Sequence, residues 1–287
     1  MIALKILLLA IVQGAAELLP VSSSAHVIVT EKLLGLDPVS PEMTLLLVML
    51  HTGTMFAVIV YFWKTWKEKY FYSRQVFFPF AKNILIATAF TGGVGLLLKF
   101  IIEKIFLRNV PHAEVELLFG NMILIGVSLF MVGLLIIYSG KKKRNSKDPA
   151  SLGLKESSWI GIIQGLCLPF RGFSRSGATI SMGLNLGLGK VQAEEFSFAL
   201  AVVLTPPVIV REILRLLKTQ SASLTHIPSL FTLFYPSLLG MVCSFLSGIV
   251  ALKLLSHLLD RGYWHTFGYY CLTASCVVFT LHFWLGI

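Results

Sequence analysis

Charge is what this sequence has least of. Asp, Glu, Lys and Arg make up 13% of its 287 residues, where soluble domains carry roughly 25%. A chain so poor in charge cannot clothe itself in a polar skin, so a water-soluble globule is excluded. Acidic residues are the scarcest, 14 against 24 Lys and Arg, which leaves a net charge of +10. That excess does not indicate nucleic acid, because the basic residues stand at the ends of apolar segments and form no basic stripe interleaved with aromatics. Cysteine is also sparse. Cys167, Cys243, Cys271 and Cys276 lie within apolar stretches without metal-ligand spacing, and read as small core residues, not as a disulfide framework. Sustained period-2 alternation is missing too, which argues against a β-barrel.

What is present is hydrophobicity: 56% of residues are apolar and the mean hydropathy is +0.81. About 20 residues cross a bilayer core as a helix, and runs of that length fall at 43–62, 84–105, 117–138, 196–217, 230–255 and 267–285. The first 19 residues, with Lys5 before an apolar run, mimic a signal peptide. The most distinctive polar cluster begins at Gln13, inside that segment, so it is read as part of the fold.

Two further apolar segments are interrupted. Residues 2–35 are broken by Pro20 and Ser22-Ser23-Ser24, and residues 158–188 by Pro169, Arg171, Gly172, Ser174, Arg175 and Ser176. Irregular backbone at membrane depth survives only when protein or a water-filled cavity surrounds it, which predicts two re-entrant helix-loop-helix hairpins. Ile11-Val12-Gln13-Gly14 returns as Ile162-Ile163-Gln164-Gly165, with Ser23 and Ser174 at the same offset. An acidic residue, Glu42 or Glu195, then opens the next span. The predicted fold class is an all-α polytopic membrane protein with an inverted repeat: six transmembrane helices plus two hairpins. Residues 1–140 form the first repeat, 141–157 a basic linker and 158–287 the second. Leaving aside Arg171 and Arg175, this arrangement puts fourteen Lys and Arg on one side, among them Lys141 to Arg144, and eight on the other. The richer side is expected to be cytoplasmic, with both termini outside.

Polar chemistry concentrates in the two breaks. Gln13 and Glu17 share a helical face, Pro20 ends that helix, and a hydroxyl of the serine run can cap the next one. His26, three residues beyond Ser23, is expected over the same turn, which would gather an acid, hydroxyls and an imidazole. In the second break, each arginine would cost about 2.5–3.5 kcal/mol at the bilayer centre without a partner. An anion is the natural one: Arg171 and Arg175 offer forks for phosphate oxygens, Gly172 lets backbone N–H groups approach, and a helix beginning near Ser176 adds its dipole.

Gln13 to His26 resembles the E-G-x-T-E-F-L-P-V-S-S-S/T-G-H stretch of the undecaprenyl-diphosphate phosphatase, or bacitracin-resistance, family. Gly172 to Ile180 is similar to that family's P-G-x-S-R-S-G-A-T-I stretch, and His51-Thr52-Gly53-Thr54 and Glu195-Phe196-Ser197-Phe198 also look like family features. The resemblance implies hydrolysis of undecaprenyl diphosphate to undecaprenyl phosphate and inorganic phosphate in the bacterial inner (plasma) membrane, usually with a divalent cation, Mg or Ca. It implies Glu17, Ser23, His26 and Arg175 as catalytic residues, with Ser22, Ser174, Ser176, Arg171 and Gly172 on the substrate phosphates. It is compatible with a homodimer. Two departures stand out: Gln13 replaces the first of the family's two glutamates, and Arg171 replaces a proline. A cation held by Glu17 with Gln13 would have lost one anionic ligand.

In the expected chemistry, arginine holds the diphosphate, Ser23 or a water attacks the terminal phosphorus, His26 shuttles a proton, and Glu17 binds the cation or orients His26. A lipid-phosphate transporter or flippase is the rival reading, since inverted repeats with broken helices are transporter architecture. A phosphatidic acid phosphatase type of enzyme ranks third, because its Lys and Arg-Pro motif and its later Arg-to-His motif are missing.

Overall fold

The structure is a computed structural model that describes residues 2–36, 41–106, 108, 115–142, 151–222 and 230–285. These residues form helices and, among those described, no strand. Backbone groups facing lipid must find partners within their own segment, and helices provide them. Six helices are long and apolar enough to cross a membrane: α3 (Pro41–Lys69), α4 (Arg74–Ile101), α5 (Met122–Lys141), α8 (Lys190–Ala222), α9 (Leu230–Asp260) and α10 (Trp264–Leu285). Four are shorter: α1 (Ile2–Leu18), α2 (Ser23–Leu34), α6 (Leu154–Cys167) and α7 (Arg175–Asn185). The chain is a multi-pass α-helical membrane protein.

All six expected spans are present, with shifted ends. α5 starts at Met122, not at 117, because the Asn121 side chain accepts a hydrogen bond from the Leu124 N–H at 3.0 Å and caps the helix there. Val115–Leu118 forms a separate 3₁₀ turn before it. α3 runs past 62 into polar sequence, where Lys and Glu are good helix formers in water, and α9 runs past 255 to Asp260. α4 begins ten residues early, at Arg74, with Ser73 accepting from the Gln75 N–H at 3.2 Å. Lys143, Arg144, Lys147, Asp37, Thr225 and the Glu42 side chain lie outside the described residues.

The short helices come in pairs. α1 and α2 turn back at residues 19–22, and the Lys5 ammonium donates to the Leu34 carbonyl at 2.5 Å across their open ends. α6 and α7 turn back at 168–174. Beside their open ends, Asn83 donates to the Leu152 carbonyl at 3.1 Å and Lys142 to the Asn185 carbonyl at 3.2 Å. α1 packs on α3 and α9, α6 on α4, α7 on α5 and α8, and α5 on α10. The main core joins the end of α1 to Phe62 and Trp66 of α3, Phe196 and Phe198 of α8, and Trp264 of α10. Glu195, fully buried, is matched by Lys69 at 2.6 Å and the Tyr70 hydroxyl at 2.9 Å, which ties α8 to the end of α3. A buried carboxylate without such partners would be strongly destabilising.

Candidate functional site

The two turns meet. Ser176 donates to the Leu19 carbonyl at 3.3 Å, Cys271 donates to the Pro20 carbonyl at 3.3 Å, and the Gly172 N–H donates to the Ser24 hydroxyl at 3.4 Å. Backbone groups freed by the first break are thus satisfied from α7 and α10, as buried carbonyls require. Ser22 pays for the sharpness of this turn with φ +69°, the one positive φ outside glycine among the described residues. Such backbone costs on the order of 1–3 kcal/mol and persists only where the surroundings over-determine it. Ser22 does not cap α2 as expected; its buried hydroxyl lies 3.3 Å from that of Ser24.

Glu17 is the hub. Its Oε2 accepts from the Ser23 hydroxyl at 2.5 Å and from the Gln13 amide at 3.2 Å, and its Oε1 accepts from Arg175 Nη2 at 3.2 Å. Ser23 and Glu17 of the first break and Arg175 of the second, singled out separately in the sequence, are thus in contact. Arg175 opens α7, and Ser174 caps that helix by accepting from the Gly177 N–H at 3.2 Å. Thr179, one turn on, pairs with Ser197 of α8 at 2.6 Å and holds α7 against that span. Ser174 and Ser176 are both buried, with hydroxyls 3.4 Å apart at the N-terminal end of α7. Arg175 Nη1 is buried and has no hydrogen-bond partner among the described residues.

The expected place of the histidine needs correcting. His26 is not the imidazole beside the acid. Its Nδ1 bonds the Ser22 carbonyl at 2.8 Å and its Nε2 the Tyr270 hydroxyl at 2.7 Å. One turn along α2 from Ser22, it braces the strained serine backbone against α10. His51 of α3 stands by the acid instead, with Nε2 3.2 Å from Gln13 Nε2 and 3.9 Å from Glu17 Oε2. Two close helix contacts bring it there. A Cβ on Gly14 would overlap Ser247 Oγ and the Ser244 carbonyl, and one on Gly53 would overlap the Met241 carbonyl. Both glycines therefore let α1 and α3 settle on the backbone of α9, and the neighbouring Gln13 and His51 meet. Arg171, expected on the phosphates, lies over the Phe119 ring at 4.3 Å, a cation–π contact made by the flat face of the guanidinium, while the donors that suit phosphate oxygens lie along its edge.

The donor set was also expected to hold a divalent cation through Glu17 and Gln13. Hard cations take several oxygens, preferably anionic. Here Glu17 is the lone carboxylate of the cluster, both of its oxygens are engaged, and a guanidinium faces it. Among the described residues no group of three or more His, Cys, Asp or Glu is arranged to hold a metal. A cation held there would have Glu17 as its one anionic protein ligand, with neutral oxygens from Gln13 and the serine hydroxyls beside it.

Known proteins resemble this chain along almost its whole length. The chain matches the bacitracin resistance protein BacA family over residues 6–277. It is 56% identical over 280 residues to undecaprenyl-diphosphatase 2 of Acinetobacter baylyi, covering 97% of both chains. It is 30% identical to the undecaprenyl-diphosphatase of Thermodesulfovibrio yellowstonii, again over 97% of each, and 31% identical to that of Fusobacterium nucleatum, over 96% of this chain and 99% of the other. A serine–carboxylate–arginine cluster at the junction of two broken helices is thus found in a chain that matches one family almost end to end, and the chain belongs to the bacitracin resistance protein BacA family.

Proposed function

We propose that this protein is a membrane phosphatase that hydrolyses undecaprenyl diphosphate to undecaprenyl phosphate and inorganic phosphate, recycling the lipid carrier of cell-wall precursors. The observation that carries the reading is Arg175. One guanidinium nitrogen holds Glu17, while the other is buried without a partner, beside a serine already bonded to a carboxylate. A half-satisfied buried guanidinium suits an anion, and a planar fork suits phosphate oxygens in particular. The helix N-terminus at Arg175, with Ser174 and Ser176, adds donors for the same oxygens.

In the reaction, Arg175 offsets the charge that develops on the terminal phosphoryl group. Glu17 Oε2 takes the proton of Ser23, or of a water that the two orient, and the freed oxygen attacks the terminal phosphorus. The bond from phosphorus to the bridging oxygen breaks, and undecaprenyl phosphate leaves. Ser22 and Gly172 line the junction, and His26 with Tyr270 keeps the serine turn in place. A divalent cation, where it contributes, would arrive as the counter-ion of the diphosphate. A carrier or flippase would also want Arg175, but it has no use for a hydroxyl donating to a base. Purified protein in detergent is expected to release phosphate from undecaprenyl diphosphate with no gradient present, with Mg or Ca titrated against a chelator. Lipid movement in vesicles with no phosphate release would overturn the reading.

The finer architecture follows the same logic. We infer that α1–α2 and α6–α7 are re-entrant hairpins of an inverted repeat, the halves being 1–140 and 158–287. Exchanging α1 with α6 and α4 with α9 turns one packed pair, α1 on α9, into another, α6 on α4, and leaves α5 on α10 unchanged in kind. In whole cells, single cysteines at 36 and 142 are expected to label from opposite faces of the membrane. Labelling of both from one face would refute the scheme.

A further inference from the structure

His51 and Gln13 go beyond the serine–carboxylate–arginine set. His51 Nδ1 donates to the Leu47 carbonyl at 2.7 Å, one turn earlier in α3. In the neutral ring this leaves the lone pair on Nε2, and that atom faces the Gln13 amide nitrogen at 3.2 Å. The same nitrogen lies 3.2 Å from Glu17 Oε2. An amide NH₂ has two hydrogens, so Gln13, itself buried, donates one to the carboxylate and one to the imidazole. The ring tautomer follows from this network of partners.

We propose that His51 is a positioning residue of the catalytic site: it receives, through Glu17, the proton that leaves the nucleophile, with the Gln13 amide as the hinge between them. The inference rests on the phosphatase reading. When Glu17 takes the Ser23 proton it becomes neutral and loses its ion pair with Arg175. Passing that proton to His51 restores the ion pair and puts the positive charge on a ring suited to carry it. The path is short: Nε2 is 3.9 Å from Oε2, about 1 Å beyond hydrogen-bond length. The imidazolium Nε2–H is then directed at the Glu17 carboxylate 3.9 Å away, and Gln13 gives up its bond to the ring while keeping the one to Oε2.

The steps balance. The Ser23 O–H bond breaks, a phosphorus–oxygen bond forms, and the bridging oxygen leaves with the electron pair. Water then attacks the phosphorus of the phosphoserine and gives one proton to Glu17. The Ser23 oxygen leaves with the electron pair and takes back the proton held on His51. Inorganic phosphate departs, and the proton on Glu17 goes to solvent, one proton per turnover. Glu17 is the charged group near the ring, with Arg175 on its other oxygen. On α9, Ser244 donates to the Leu50 carbonyl at 2.9 Å and Ser247 to the Ser244 carbonyl at 3.2 Å, and Cys243 packs against the same apolar cluster as Leu47. The His51 side chain is 38% accessible, so the protein itself does not seal it.

The test is phosphate release by purified wild type, His51→Gln and His51→Ala across pH 5 to 9. Glutamine can still bond Gln13 but cannot take up a proton. We expect His51→Gln to lose about 100-fold in kcat with KM little changed, and to lose the acid-side pH dependence that wild type shows. Added imidazole should restore part of the activity of His51→Ala. The proposal is overturned if His51→Gln matches wild type in rate and pH profile, because His51 would then be only a hydrogen-bond partner. It is equally overturned if imidazole does nothing for His51→Ala while glutamine repairs it. A wild type that releases no phosphate overturns the phosphatase reading together with this inference, a result distinct from either of the others.

Discussion

Replacing Glu17 by glutamine is expected to lower phosphate release by about 1,000-fold, within the range for loss of a general base. Three donors converge on this carboxylate: Ser23 and Gln13 on Oε2, and Arg175 on Oε1. A carboxamide has one acceptor oxygen and one NH₂. Glutamine can satisfy Ser23 or Arg175, and whichever it refuses then faces a donor. Either choice also removes the base that deprotonates the nucleophile. The loss should fall on kcat, since Arg175 remains free to bind the substrate. A rate for Glu17→Gln within tenfold of wild type would show that the carboxylate is not the base, and the short contact with Ser23 would need another explanation.

Arg175→Lys is the second large effect. The variant is expected to express normally, to keep its charge and to lose about 100- to 1,000-fold in kcat/KM, comparable to deleting one preorganised donor to a transition-state oxyanion. The guanidinium performs two tasks at once, with Nη2 on Glu17 and Nη1 buried and open to a ligand. An ammonium is a single point of charge on a flexible stem. It can hold the carboxylate or the phosphoryl oxygens, but it cannot span both in one plane. Near-normal turnover in phosphate-release assays would remove arginine geometry from the mechanism and leave only its charge.

The spans were legible because hydropathy depends on composition alone, and every expected run became a helix. Their ends were less so: Asn121 decides the start of α5 through one side-chain bond, and no apolar average registers it. The two breaks were legible as well, since Pro20 and the serine and glycine runs have few roles inside apolar sequence. The identity of the histidine was not. His26 follows Ser23 by three residues and looked local, yet on α2 it turns to Tyr270. His51 lies 34 positions after Glu17, and it reaches Glu17 only because α1 and α3 rest on the same helix, α9. A faint signal existed in Gln13-Gly14 and in His51-Thr52-Gly53, each a polar residue close to a glycine inside an apolar helix. The aromatic support under Arg171 was not legible either: its flat face lies on Phe119, and single-chain patterns do not show which ring a guanidinium rests on.

The packing of α1 against α9 also sets an order of events during synthesis. The end of α1 and the start of α9 are separated by about 210 residues, and at roughly 5–20 residues per second the interval is on the order of 10–40 s. Through that time Gln13 and Glu17 have emerged, but the helix that receives Gly14 has not been made, and neither has Arg175 for the earlier part of it. A nascent chain therefore holds a polar, half-built hairpin at the membrane while most of its neighbours are still to come. Slowing elongation between α1 and α9 should lengthen the period in which the first hairpin is open to proteolysis.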